Sequence, residues 1–251
     1  MGADSARDRL RAWYALAAAG LLLFVVPLID SFAVTTGYGS AVDDANQHGN
    51  FGPLLKWNVS HSGLALLIHG TTFVPFLLAM SLPPVLARLL WRRTVVPRVV
   101  TAVGIAGTAC FAASVFIGQI ASADLAGRYV AATPTETTVL ASTFAARMVF
   151  QNSLAYGAGG TLLATYLAGT GIRVLRVHAG RWYGCLSLAA GLLLGATAVQ
   201  YIGSPQASQA PLAPLSVVGL GIWLAGTGVF LWRLAGASMH EAGEPPVAAT
   251  K

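Results

Sequence analysis

Hydrophobic residues in this chain gather in long runs, set apart by short segments where arginine, proline and glycine concentrate. Six runs stand out: Ala12–Phe32, Gly63–Leu82, Val99–Ile120, Thr143–Ile172, Tyr183–Ile202 and Leu215–Trp232. Each reaches or approaches the roughly 18–20 residues a helix needs to cross a hydrocarbon layer. The pattern predicts an all-α, polytopic integral membrane bundle of six transmembrane helices.

Composition points the same way. Of the 251 residues, 55% are hydrophobic and 10% charged, whereas a soluble domain carries about 25% charged residues. Of the 15 basic residues, 12 flank the runs on one side: Arg7, Arg9, Arg11, Arg88, Arg92, Arg93, Arg98, Arg173, Arg176, Arg181, Arg233 and Lys251. Only Lys56, Arg128 and Arg147 fall on the other side. The positive-inside rule then places both termini in the cytoplasm of a multi-pass protein of the cell membrane. The net charge of +6 reads as a topology signal with some attraction to anionic headgroups. The expected partner is the lipid bilayer, not nucleic acid.

This orientation divides the chain into a cytoplasmic N-terminus (1–11), a transmembrane domain (12–232) and a disordered cytoplasmic tail (233–251) rich in Ala, Pro and Glu. Arg7, Arg9 and Arg11 ahead of an apolar run, with Ser31-Phe32-Ala33 after it, also fit a cleaved signal. The run exceeds the usual signal core of about 7–15 residues, which favours a retained span. The external connections are 33–62 and 121–142. The first holds Gly37, Gly39, Gly49 and Gly52 with Asp43, Asp44 and Asn46, a loop composition over the outer mouth. Pro83, Pro84 and Pro97 mark helix boundaries on the basic side. Gly160, Ala164 and Ala168 recur every four residues, as do Gly191 and Gly195. Such stripes let helix backbones approach closely in lipid.

The arginines at the inner ends provide a depth ruler. At 1.5 Å per residue, Asp30 lies about 28 Å beyond Arg11, Gln119 about 31 Å beyond Arg98 and Gln200 about 28 Å beyond Arg181. Asn152 and Arg147 lie about 31 and 39 Å from Arg173. With a core about 30 Å thick, all five sit near the outer edge. His69 is deeper, about 21 Å from the inner boundary at Pro83. The inner halves of the spans hold no Asp, Glu, Lys, Arg or His. A conduit across the bilayer needs polar groups at several depths, so the distribution describes a cup open to the outside. Its expected lining is Asp30, His61, His69, Gln119, Arg147, Gln151, Asn152 and Gln200.

Candidate chemistry is sparse. Asp30 and His69 are the groups available for acid–base catalysis; His61, Gln119, Arg147, Gln151, Asn152 and Gln200 are the candidate ligand contacts. His61 and His69 are eight residues apart on one helix, about 12 Å along its axis, so they cannot be the two axial ligands of one haem iron. Asp43-Asp44 lacks the further carboxylates of a metal site. Cys110 and Cys185 lie within spans without a CxxC pair, so no redox motif or disulfide framework is expected. HExxH, GxSxG and GxxxxGK[ST] are absent. No cofactor and no metal are expected.

Three functional classes follow. The first is a binding or accessory membrane protein that takes up a lipophilic or amphipathic small molecule, alone or beside a partner membrane protein. The second is a cofactor-free enzyme using Asp30 or His69 as general acid on a prenylated substrate, as small integral-membrane terpene cyclases do. The third is a secondary transporter or permease subunit, which the dry inner half disfavours.

Overall fold

The computed structural model describes residues 2–91, 96–178, 180–203 and 212–243, with side chains described from Arg9 to Ile202 and from Leu212 to Leu234 outside the gaps. The described residues form helices and no strand. The elements are α1 (Gly2–Gly20), α2 (Val26–Thr35), α3 (Tyr38–His48), α4 (Gly52–Ser60), α5 (Ser62–Ala79) and α6 (Leu82–Leu90). They continue with α7 (Val96–Ala131), α8 (Pro134–Asn152), α9 (Gly160–Arg176), α10 (Arg181–Gly203) and α11 (Leu212–Gly243). Two π-helical segments, Leu21–Val25 and Ser153–Gly159, join α1 to α2 and α8 to α9.

Five helical stretches are long and apolar enough to cross a membrane: Arg9–Thr35, Ser62–Leu90, Val96–Ala131, Arg181–Ile202 and Leu212–Leu234. This fits an integral membrane protein. The sequence pattern predicts a sixth at Thr143–Ile172. There the chain is helical from Pro134 to Arg176, but Arg147, Gln151, Asn152 and many Gly, Thr and Tyr residues dilute its hydropathy. Many large apolar side chains are exposed; Leu192, on α10, is 75% exposed, as a lipid-facing residue is.

The helices close a ring. α1 packs on α5, α5 on α7, α7 on α9, α9 on α10, α10 on α11, and α11 on α1. The small-residue stripes expected from sequence meet each other: a Cβ on Gly191 would lie 3.1 Å from the Ala164 carbonyl oxygen, and one on Gly195 3.6 Å from the Ala164 Cβ. The first helix fits against the last in the same way, with a Gly228 Cβ 2.6 Å from Leu16.

The ends of the ring differ. At the basic end, Arg9 lies over the Trp232 ring and Arg233 over Trp182, an aromatic and cationic belt of the kind found at membrane interfaces. Arg173 reaches across to donate its Nε–H to the Leu90 carbonyl at 2.8 Å, closing the last turn of α6. At the opposite end, here the loop end, connection 33–62 is mostly helix, α3 and α4, not the loop its glycines suggest. Gly37 and Gly49 adopt positive φ and bracket α3, so these glycines terminate a helix instead of dissolving it. Connection 121–142 is shorter than expected: α7 runs through to Ala131 and α8 begins at Pro134. Thr133 starts α8, its backbone N–H and its hydroxyl both donating to the Glu136 carboxylate. At the C-terminus, α11 extends to Gly243, past the Trp232 boundary expected from sequence; the rest of the expected tail, 244–251, lies outside the described residues.

Burial follows this division. One apolar core, including Leu82, Leu86, Phe111, Leu163, Leu167 and Leu224, fills the ring. A second, with Leu54, Leu55, Trp57, Ile68, Leu125 and Phe144, ties α3 and α4 onto α5, α7 and α8.

Candidate functional site

A cavity of about 650 Å³ at the loop end is lined by residues of α3, α4, α5, α7, α8, the second π segment, α10 and α11. Its size lies within the range of roughly 300–1,000 Å³ typical of small-molecule sites. Of the eight residues expected to line an outer cup, the structure brings four into this cavity: His69, Arg147, Gln151 and Asn152. Asp30, His61, Gln119 and Gln200 are not among its lining residues.

The reasons are local. Gly118 and Ser122, on one side of α7, are buried toward α8 and the cavity; Gln119 is turned about 100° away from Gly118 by the helix period. On α10, Tyr201 lines the cavity, which turns the adjacent Gln200 aside. The Gln119 and Gln200 side-chain oxygens are buried with no hydrogen-bond partner among the described residues. His61 sits at the joint between α4 and α5, stacked on Trp57 at 5.1 Å, its Nδ1 2.9 Å from the Ser60 hydroxyl. Trp57 itself lines the cavity and donates its indole N–H to Thr36 at 3.0 Å. Asp30 stands behind the wall. Burial and the Asp30 charge together hold the Tyr38 phenol above its ordinary value, and Tyr38 faces the cavity.

Arg147 is the central group. Its Nη1 donates to the Gly118 carbonyl at 2.6 Å, and its guanidinium lies 4.2 Å from the centroid of the buried Phe144 ring. Its Nε is buried without a partner. The imidazole of His69 is close enough to feel its charge. Gln151 packs directly over Gly118, where a Cβ would come within 2.6 Å of its amide. The backbone carbonyl at 118 thus positions Arg147, and the absence of a side chain there gives Gln151 its place.

The inner boundary is aromatic. Tyr156 stacks on Tyr201 at 4.8 Å and meets Phe111 edge-on at 5.5 Å; Phe111 stacks in turn on Phe76 at 5.0 Å. Deeper toward the basic end, some hydroxyls and an indole pair, while the Tyr166 and Thr170 hydroxyls are buried without a partner among the described residues. The Tyr183 hydroxyl lies 2.9 Å from that of Thr227, and Trp223 donates to Ser187 at 3.1 Å.

The sequence reading missed Tyr38, Trp57, Asn58, Tyr156 and Tyr201 as lining residues. The neighbourhood of Tyr156 carried one readable signal: three glycines follow within four positions, where the helix widens into its π segment, a feature often found at functional sites. Elsewhere, Asp44 is engaged by His48 at 3.2 Å and by Asn50 at 2.8 Å, so the Asp43-Asp44 pair belongs to the end of α3. No group of three or more His, Cys, Asp or Glu is placed to hold a metal among the described residues.

No family model matches the chain, and no curated protein or solved structure matches it. The functional reading therefore rests on the geometry of the cavity.

Proposed function

We propose that this protein is a six-span membrane protein, both termini cytoplasmic, whose extracytoplasmic cavity binds a lipophilic or amphipathic small molecule. The observation that carries this reading is the cavity's mixed lining: Arg147, His69, Gln151, Asn152 and Asn58 against Leu54, Ile68, Phe144 and Met148. Mostly apolar walls with a few convergent polar groups are the usual make-up of a small-molecule site. The 12-to-3 split of basic residues supports the orientation, and the helix from Pro134 to Arg176 supports the sixth span: flanked on both sides by ring members, it can be more polar than a lipid-facing helix.

A binding or accessory role is preferred to catalysis because only one of the two candidate acids, His69, lines the cavity; Asp30 does not, and an acid catalyst must reach its substrate. Transport is disfavoured by the aromatic floor and the dry packing beneath it. Trp57 supplies the test. In nanodiscs, chain-brominated amphiphiles are expected to quench its fluorescence saturably, and Trp57→Phe to remove that component. Quenching that rises linearly with probe and is identical in Trp57→Phe defeats the reading.

A further inference from the structure

Arg147 imposes a requirement on whatever fills the cavity. None of the described lining residues is acidic, and Arg147 makes no ion pair with a described residue; its partners are a carbonyl and a ring face, and its Nε is buried without a hydrogen-bond partner. Asp30 is not among the residues that line the cavity. A half-buried guanidinium held by a neutral carbonyl keeps its full charge, and leaving it without a counter-charge is costly. Buried charges are as a rule paired, and the described lining offers this one no carboxylate. Gln151, Asn152 and Asn58 add neutral amide donors to the same lining.

Resting on the binding reading above, we infer that the ligand is an amphiphile with an anionic head, a carboxylate or phosphate ester, whose charge is met by Arg147. Its apolar chain lies along Leu54, Ile68, Phe144 and Met148. Arg147 is fixed for this task before the ligand arrives. The Gly118 carbonyl holds one nitrogen and the Phe144 ring covers one face, so little side-chain freedom remains to be lost on binding. A purely apolar ligand would leave the guanidinium uncompensated and would strip water from it.

The test uses spin-labelled stearic acid and its methyl ester, which share a chain and differ in head charge, with Trp57 fluorescence as readout on the full chain in neutral-lipid nanodiscs. The acid is expected to quench saturably at concentrations at least tenfold lower than the ester. Arg147→Gln should bring the acid to the level of the ester, and Arg147→Lys should restore part of the difference. Equal, saturable quenching by acid and ester in the natural chain overturns the anionic head while the binding reading stands. Absence of saturable quenching by either probe overturns both. Displacement of the acid by inorganic phosphate or chloride at matched concentration shows a site for a small anion alone and overturns the amphiphile. The acid–ester comparison needs no variant, so misfolding of Arg147→Gln does not spare the inference.

Discussion

Arg147 donates to the backbone carbonyl of Gly118 across the α7–α8 interface at 2.6 Å, and the missing side chain at Gly118 is what admits Gln151 beside it. A methyl group at 118 collides with the movable end of Gln151 and leaves the backbone where it is. Gly118→Ala is therefore expected to weaken amphiphile binding severalfold while shifting the melting temperature little. Titration of Trp57 quenching and a thermal scan in the same detergent check both halves.

Helix packing makes a sharper forecast at Gly171. A Cβ there would stand 2.8 Å from the Gly184 carbonyl oxygen, backbone against backbone, whereas at Gly169 on the same helix it meets nothing within 4 Å. Overpacking of this kind costs roughly 1–3 kcal/mol, so Gly171→Ala should lower the melting temperature by several degrees. Gly169→Ala should leave it unchanged or slightly raised, because alanine lowers the entropy lost on forming the helix.

The buried pair Tyr183–Thr227 lends itself to a double-mutant cycle. Thr227→Val strands the Tyr183 hydroxyl in an apolar interior and is expected to destabilise by about 1 kcal/mol. Adding Tyr183→Phe removes the stranded group and should recover most of that loss. Additive single effects would show that the 2.9 Å contact carries no coupling.

The cap at Thr133 predicts a pH dependence. Hydrogen bonds from the Thr133 backbone and hydroxyl hold the Glu136 carboxyl below its usual value near 4.5. A depressed folded-state value means the cap's contribution is complete above about pH 4.5 and is lost as pH falls through the lower folded value. Protection of the amides of residues 135–138 against hydrogen exchange, relative to their intrinsic rates, should fall over that acid range in the natural chain, and Glu136→Gln should remove the step.

The helical class, five of the six apolar runs and the packing stripes were legible in the sequence, because a backbone in lipid must satisfy its own hydrogen bonds as helix. The stripe at Gly191 was readable for the same reason: in lipid, close backbone approach needs small residues. The helices α3 and α4 were not, since Gly37 and Gly49 stand equally well for a flexible loop and for helix ends. That His69, Arg147, Gln151 and Asn152 belong together was readable from their spacing, and the four line one cavity. Rotation about each helix was not. Gln119 and Gln200 stand next in sequence to Gly118 and Tyr201 but do not line the cavity, and a rise of 1.5 Å per residue says nothing about which neighbour a residue faces. Tyr201 and Ser122 occupy the azimuth that the glutamines were expected to fill.

The central claim is a cavity reachable from outside that ends on the Tyr156–Tyr201 stack, above a dry interior. Cysteine accessibility tests it most directly, in a Cys110→Ala, Cys185→Ser background reconstituted with known orientation. Asn152→Cys, in the cavity, should react with a membrane-impermeant maleimide added outside and be protected by bound amphiphile. Leu163→Cys, buried at α9 against Gly107, should stay unlabelled from both sides. An inert Asn152→Cys, or a Leu163→Cys that labels from either face, would contradict the account.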